Sequence, residues 1–217
     1  CFGGLEPTAS AKTESWNGTN WTEVNDLNTA RGGLSGAGTA TSGLGFGGPL
    51  PPGYQTITES WNVTNWTELN DLNTGRGDLT GAGVSNTSAL AIGGANFAAN
   101  TESWNGTNWT EVNDLNTGRR ELGGAGTQTA AIAMVGVVLT PPGTVTTNAT
   151  ESWNGTSWTT EGSLNTARYQ LDNQGAGSST AGLVAGGNSS YSSASMPSST
   201  EEFAGAGSPV TRTFTDS

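Results

Sequence analysis

The sequence contains no histidine, one cysteine and one lysine among its 217 residues. Without histidine, the chain lacks the commonest metal ligand and the commonest general base. Nucleophilic mechanisms that pair serine or cysteine with histidine are therefore excluded. The single cysteine, Cys1, has no partner for an intramolecular disulfide. The composition predicts a non-enzymatic protein that uses neither a cofactor nor a metal.

Basic residues are also scarce, because 7 Lys and Arg oppose 18 Asp and Glu and leave a formal net charge of -11. Nucleic-acid binding needs clustered basic side chains. Apolar runs are short, and the longest, around residues 130–139, falls well below the roughly 20 residues of a membrane helix. We expect neither nucleic acid nor a membrane as a partner.

A repeated unit dominates the sequence. Residues 13–31 recur as 58–76, 101–119 and, more loosely, 150–168, and residues 200–203 begin a fifth copy. The repeats divide a single domain, 1–217, into units of about 1–31, 32–76, 77–119, 120–168 and 169–217. All eight tryptophans lie in the first four copies. Repetition at about 43 to 50 residues is typical of a β-propeller, in which each unit forms one blade.

Each unit is predicted to form four short antiparallel strands. A Gly-Ala-Gly strand comes first, and an apolar strand that ends in glycine follows it. Two strands that each carry one tryptophan then form a hairpin, for example on either side of Asn17-Gly18. The Asn-Gly pair indicates a two-residue type I′ turn. The small residues suit a crowded centre, and we expect the tryptophans to fill the wider gaps between neighbouring blades.

The unit resembles the kelch repeat. Its glycine doublet is matched by Gly47-Gly48, Gly93-Gly94 and Gly186-Gly187, and its late tryptophan by Trp21, Trp66, Trp109 and Trp158. Val135 replaces the first glycine of the doublet in one unit. The string Glu-Ser-Trp-Asn-Gly-Thr-x-Trp-Thr further resembles kelch-like repeats of tail and virion structural proteins of aquatic bacteriophages. The resemblance implies an all-β, kelch-like β-propeller of about five four-stranded antiparallel blades.

The first blade lacks its inner strand. Cys1-Phe2-Gly3-Gly4 matches Gly45-Phe46-Gly47-Gly48, so the first unit starts on its second strand. Three interpretations stay open: a preceding part of a longer chain supplies the strand, a neighbouring copy donates it, or the ring is open or irregular.

Charged residues recur at fixed positions of the repeat, which favours a role in the scaffold. Arg31, Arg76, Arg119 and Arg168 share one position, and Glu14, Glu59, Glu102 and Glu151 share another. We expect these arginines and glutamates to pair between strands or blades. Two carboxylates could hydrolyse a glycosidic bond, but no pair stands apart from the repeat.

The connections between the second and third strands differ from unit to unit. They comprise residues 5–12, 49–57, 95–100, 137–149 and 188–199. Variable loops on a constant scaffold predict a binding surface, although unconstrained drift would produce the same variation. Tyr54, Phe97 and Tyr191 are the aromatic candidates for contact with a sugar. Asn17, Asn62, Asn105 and Asn154 begin Asn-x-Thr triplets in the hairpins and are candidate glycosylation sites.

These observations favour a structural or adhesive module of a phage tail fibre or virion surface. Its partner would be a host glycan or a neighbouring structural protein. The alternative is a subunit of a secreted extracellular filament or surface adhesin, in which copies assemble by strand donation.

Overall fold

The computed structural model of the chain describes residues 1–171, 175–189, 200–205 and 210–212, and only the backbone of Glu6 and of residues 210–212. The described residues form antiparallel β-sheets and one turn of 310 helix, Ala95–Phe97. None of the helical structure in these ranges is long and apolar enough to cross a membrane. The predicted all-β fold is confirmed.

Twenty-five short strands follow one another along the chain. The first fourteen are β1 (Leu5–Glu6), β2 (Thr8–Ala9), β3 (Thr13–Trp16), β4 (Trp21–Val24), β5 (Ser35–Thr39), β6 (Ser42–Phe46), β7 (Pro49–Leu50), β8 (Gly53–Tyr54), β9 (Thr58–Trp61), β10 (Trp66–Glu68), β11 (Thr80–Ser85), β12 (Ser88–Ile92), β13 (Thr101–Trp104) and β14 (Trp109–Val112). The others are β15 (Arg119–Arg120), β16 (Gly123–Thr127), β17 (Ala130–Met134), β18 (Val137–Thr140), β19 (Gly143–Thr146), β20 (Thr150–Trp153), β21 (Trp158–Thr160), β22 (Gly175–Ser178), β23 (Ala181–Ala185), β24 (Thr200–Phe203) and β25 (Val210–Arg212).

Four sheets of four strands correspond to the second to fifth units. In the order of their hydrogen bonds they are sheet II (β5-β6-β9-β10), sheet III (β11-β12-β13-β14), sheet IV (β16-β17-β20-β21) and sheet V (β22-β23-β24-β25). The first unit contributes the hairpin β3–β4, here called the first hairpin, to which Phe2 adds a single bridge at Thr13. Sheets II to V thus have the predicted strand order, and the first unit has no strand in the inner position within the described residues.

The inner strands of successive sheets pack against one another. β5 packs on β11, β11 on β16, and β16 on β22. Their glycines and alanines line a cavity of about 290 Å³. A Cβ atom added to Gly81 would lie 2.5 Å from the carbonyl oxygen of Gly36 in the neighbouring sheet. Only glycine allows this approach, which explains the small residues of the inner strands.

Tryptophans fill the spaces between sheets. Trp104 and Trp109 of sheet III form one buried cluster with Leu44 and Phe46 of sheet II. The same arrangement joins sheets III and IV, where Trp153 and Trp158 pack with Leu90 and Ile92. Phe203 replaces the tryptophan in sheet V. Because aromatic side chains bury large areas, one or two per sheet fill much of the space between neighbouring sheets.

The hairpins differ from the prediction in their turn. Trp16 pairs directly with Trp21, so four residues, not two, connect the strands. Asn17 accepts hydrogen bonds through Oδ1 from the backbone N–H groups of Thr19 and Asn20, both at 2.9 Å. The predicted type I′ turn is therefore wrong, because the asparagine side chain stabilises a longer loop.

Candidate functional site

The four repeated arginines are fully buried, and each forms an ion pair with a buried glutamate. The pairs are Arg31–Glu59 at 2.8 Å, Arg76–Glu102 at 2.8 Å, Arg119–Glu151 at 2.5 Å and Arg168–Glu201 at 2.6 Å. The predicted pairing of these arginines with glutamates is confirmed, and the structure shows which residues are partners. Each arginine precedes the inner strand of a sheet and bonds the glutamate on the third strand of that same sheet.

Further hydrogen bonds satisfy both members of the pair in sheet II. Arg31 donates from Nη1 to the carbonyl oxygens of Gly47 at 2.7 Å and Ile57 at 2.9 Å. Asn28 donates from its backbone N and from Nδ2 to Glu59 Oε2, at 2.7 and 2.8 Å. Buried ions persist only when their hydrogen-bonding groups are satisfied in this way. The Arg31–Glu59 pair therefore connects the segment that precedes the inner strand to the third strand.

Burial and the paired glutamate have opposite effects on the pKa of three of these arginines. Desolvation lowers the pKa of Arg31, Arg76 and Arg119, because burial disfavours the charged form of the guanidinium. The paired glutamate acts in the opposite direction and raises the arginine pKa. The four pairs thus connect segments within each of sheets II to V.

Glu14 occupies the equivalent position in the first hairpin, but it is exposed. Among the ion pairs within the described residues, none includes Glu14. The backbone nitrogen of Cys1 donates to the backbone oxygen of Glu14 at 2.9 Å. The predicted scaffold role of this glutamate is thus not realised in the first hairpin.

The tryptophans of the first hairpin are also exposed. Trp16 is 48% and Trp21 is 55% exposed, whereas the six later tryptophans are at most 7% exposed. The expectation that all eight fill gaps between sheets is therefore wrong for this pair. Each later pair packs on the preceding sheet, and the first hairpin has no such sheet before it within the described residues.

A cleft of about 490 Å³ lies between the first hairpin and β5. Cys1, Phe2, Glu14, Trp16 and Trp21 line it, together with residues 36–40. Elsewhere in the molecule an inner strand packs against the next inner strand at this position. We call this space the first cleft. It combines exposed aromatic rings, a carboxylate and a strand edge in one place.

The second candidate surface consists of the connections between second and third strands, which we call the loop edge. Three of them contain small hairpins that sequence reasoning missed, formed by β1–β2, β7–β8 and β18–β19. All of these connections leave the same end of their sheets, because they follow the second strand in every unit. The segments that precede the inner strands bond to one another, since Asp78 N donates to Gly33 O at 3.1 Å and Glu121 N donates to Asp78 O at 2.8 Å.

The aromatic candidates for sugar contact differ in their exposure and contacts. Tyr54 lies on β8 and is 39% exposed. Phe97 is half-buried, and the guanidinium of Arg120 lies 5.3 Å from the centroid of its ring. One face of the Phe97 ring therefore forms a cation–π contact with Arg120. Tyr191 lies outside the described residues.

The four candidate glycosylation sites are exposed at the opposite end of the sheets from the loop edge. They are Asn17, Asn62, Asn105 and Asn154. In every case Oδ1 accepts backbone hydrogen bonds within the hairpin loop. The described residues hold no cluster of three or more His, Cys, Asp or Glu able to bind a metal.

No protein-family model and no curated protein matches the sequence. Among solved structures, the chain is similar to the structure of YjhT, with a TM-score of 0.76 and 9% sequence identity. The similarity covers 97% of this chain and 79% of the YjhT chain. At this identity the comparison concerns the fold alone.

Proposed function

We propose that the chain is a kelch-like β-propeller of about five blades that serves as a non-enzymatic structural or adhesive module. Its place is a phage tail fibre or virion surface, and its partner is a host glycan or a neighbouring structural protein. The supporting feature is the successive packing of equivalent sheets around the glycine-lined cavity.

The observation that carries this proposal is the contrast between the scaffold and the loop edge. The buried arginines and glutamates repeat from sheet to sheet and pair with one another. A catalytic pair would differ from its copies in other sheets. The loop edge does differ, since its connections within the described residues differ in length and fold, and it exposes Tyr54. Variable loops on rigid sheets are typical of a binding surface.

Binding should be measured on a panel of purified bacterial surface polysaccharides, with release of reducing sugar recorded in parallel. We expect a polysaccharide to bind without being cleaved, and Tyr54→Ala to weaken binding about tenfold through loss of aromatic contact with the sugar. Val84→Ala is the matched control, because Val84 is 58% exposed near the opposite end of a sheet. Equal losses in both variants would exclude the loop edge, and cleavage would exclude the non-enzymatic role.

The first cleft favours a second candidate, a filament or adhesin subunit that assembles by accepting a strand. The exposed Trp16 and Trp21 have buried equivalents in three later units, and an edge open to another strand promotes association. Electron microscopy at increasing protein concentration tests this function. Filaments that disappear in a Trp16→Ser, Trp21→Ser variant would support it, whereas single particles at every concentration would exclude assembly between copies.

A further inference from the structure

The side chains around Tyr54 have the composition of a site for a cationic group. We propose that Tyr54 and Asp78 bind the guanidinium group of an arginine that belongs to a neighbouring structural protein. This inference rests on the proposed function, in which the loop edge is the binding surface. It names the partner and the chemical group that this surface recognises.

Tyr54 and Phe97 occupy equivalent places in the second and third units. The residue that follows Tyr54 accepts a backbone hydrogen bond from Arg76 N at 3.2 Å. The residue that follows Phe97 accepts the same bond from Arg119 N, also at 3.2 Å. Because Arg76 and Arg119 share one position of the repeat, the residues next to them can be compared directly.

At Phe97 the chain itself supplies a cation. The guanidinium of Arg120 lies 5.3 Å from the centroid of the Phe97 ring, and its Nε lies 3.5 Å from Oε1 of Glu121. The side chains of Arg120 and Glu121 are 23% and 12% exposed. An aromatic face and a carboxylate each attract a guanidinium. This group of three side chains therefore shows which ligand the arrangement holds.

At Tyr54 the aromatic and acidic positions are kept, but the arginine is replaced. Gly77 takes the position of Arg120, and Asp78 takes that of Glu121. The two acidic residues have the same left-handed backbone, with φ of 55° and 54°. Tyr54 is 39% exposed, so its ring is accessible to another molecule.

The surface between the ring and the carboxylate is formed by glycine and proline. A Cβ atom added to Gly77 would lie 2.9 Å from Cδ1 of Tyr54, so the ring lies directly over the backbone there. A Cβ atom on Gly33 would lie 3.2 Å from Oδ1 of Asp78. Pro49 Cδ lies 2.8 Å and 3.0 Å from these two Cβ positions. Tyr54 and Asp78 therefore flank one proline, and a cation can approach both of them from the solvent.

The charge of the chain favours a cationic partner. Its 18 acidic residues exceed the 7 basic ones and give a formal net charge of -11, which attracts a positively charged surface over long range. Arginine fits this site better than lysine does, because a planar guanidinium can stack on a ring while it donates to a carboxylate. The contact of Arg120 with Phe97 uses the same group.

Nα-Acetylarginine amide is the probe, and the corresponding citrulline compound is the matched control ligand, since it has nearly the same shape without the charge. The protein has three tyrosines, and it should be prepared with 13C-labelled tyrosine rings. Tyr54→Phe then identifies the NMR signal of Tyr54. We expect the arginine compound to shift this signal saturably and the citrulline compound to bind about tenfold more weakly, because the cation–π contact and the charge-assisted hydrogen bond are lost.

The protein variant Asp78→Asn tests the carboxylate. Asparagine tolerates the left-handed backbone of this position, so the fold should be retained. The variant should bind the arginine compound about fivefold more weakly and lose most of its preference over citrulline. Glu68→Gln removes an exposed carboxylate on β10 and should leave affinity and preference unchanged. Equal losses in both variants would mean that net charge alone attracts the probe, and would overturn the inference.

The remaining outcomes separate this inference from the proposed function. If the two compounds shift the Tyr54 signal equally, or neither shifts it, Tyr54 and Asp78 do not form a guanidinium site and the inference is wrong. A polysaccharide that shifts the same signal would then identify a glycan as the partner and leave the proposed function intact. If no polysaccharide shifts it either, the loop edge around Tyr54 is excluded as the binding surface.

Discussion

The first hairpin and the corresponding part of sheet III have the same sequence in different surroundings. Residues 13–29 and 101–117 are identical, yet Trp16 is 48% exposed and Trp104 is fully buried. Glu14 is exposed, whereas Glu102 is 1% exposed. Local features such as the hairpin loop are the same in both. Burial in this molecule is therefore decided by the neighbouring sheet and not by the repeat itself.

The largest expected difference concerns the tryptophans. Trp104→Ala should lower the free energy of unfolding by about 3–5 kcal/mol, because it leaves a cavity between sheets II and III. Trp16→Ala, with the same sequence neighbours, should cost less than about 1 kcal/mol. Urea unfolding of both variants measures the difference, and equal losses would show that Trp16 is buried in solution.

Substitution of the buried Glu102 should also lower stability more than substitution of the exposed Glu14, but by less than for the tryptophans. Glu102→Gln leaves the buried guanidinium of Arg76 without its anion and should cost about 3 kcal/mol. Glu14→Gln should change stability by no more than about 0.5 kcal/mol, as exposed substitutions usually do. Thermal unfolding of the two variants side by side gives the comparison. A large loss in Glu14→Gln would mean that this carboxylate already has a buried cationic partner.

On the side of the first hairpin that faces sheet II, equivalent substitutions at Thr13 and Thr101 should cost the same free energy of unfolding. Thr13 Oγ1 accepts from Trp66 Nε1 at 3.0 Å, and Thr101 Oγ1 accepts from Trp158 Nε1 at 3.1 Å. Replacing either threonine by valine leaves a buried indole N–H without an acceptor and should cost about 1–2 kcal/mol. Chemical denaturation should give equal values for both variants. A much smaller loss in Thr13→Val would mean that the first hairpin is not docked on sheet II.

The smallest expected effect is in the hairpin loops. Val63 has φ 80° at the position where Gly18, Gly106 and Gly155 have φ between 90° and 97°. Val63→Gly should therefore raise stability by up to about 1 kcal/mol through relief of backbone strain. Gly106→Val should lower it by a similar amount. Calorimetric melting temperatures that move in the opposite directions would contradict this interpretation.

Much of the fold could be predicted from the sequence because the same pattern of strands and charged residues occurs in several units. The four strands of each unit and the pairing of Arg31 with a glutamate were predicted, since recurrence separates scaffold residues from the rest. The four-residue hairpin loop was missed because Asn17 satisfies the turn with its side chain, which the Asn-Gly rule ignores. The small hairpin β7–β8 was missed because its two-residue strands give no periodic pattern.

The candidate site was less accessible to sequence reasoning. Trp16 and Trp104 have identical neighbours along the chain, so no local signal distinguishes the exposed residue from the buried one. The unequal number of arginines and glutamates was visible in the sequence and could have marked Glu14. The contact of Arg120 with Phe97 was not predictable, because it depends on how β15 meets the loop edge.

The repeated ion pair has a consequence for how such a gene can change in length. Arg31 with Glu59 and Arg76 with Glu102 make the same bonds at the same distance, 2.8 Å. A recombination event that duplicates or deletes one unit therefore joins surfaces that already fit, and leaves no buried charge without its counterion. Near-identical repeats such as residues 13–29 and 101–117 also favour such exchange at the DNA level. Copy number can thus vary without new mutations at the junction.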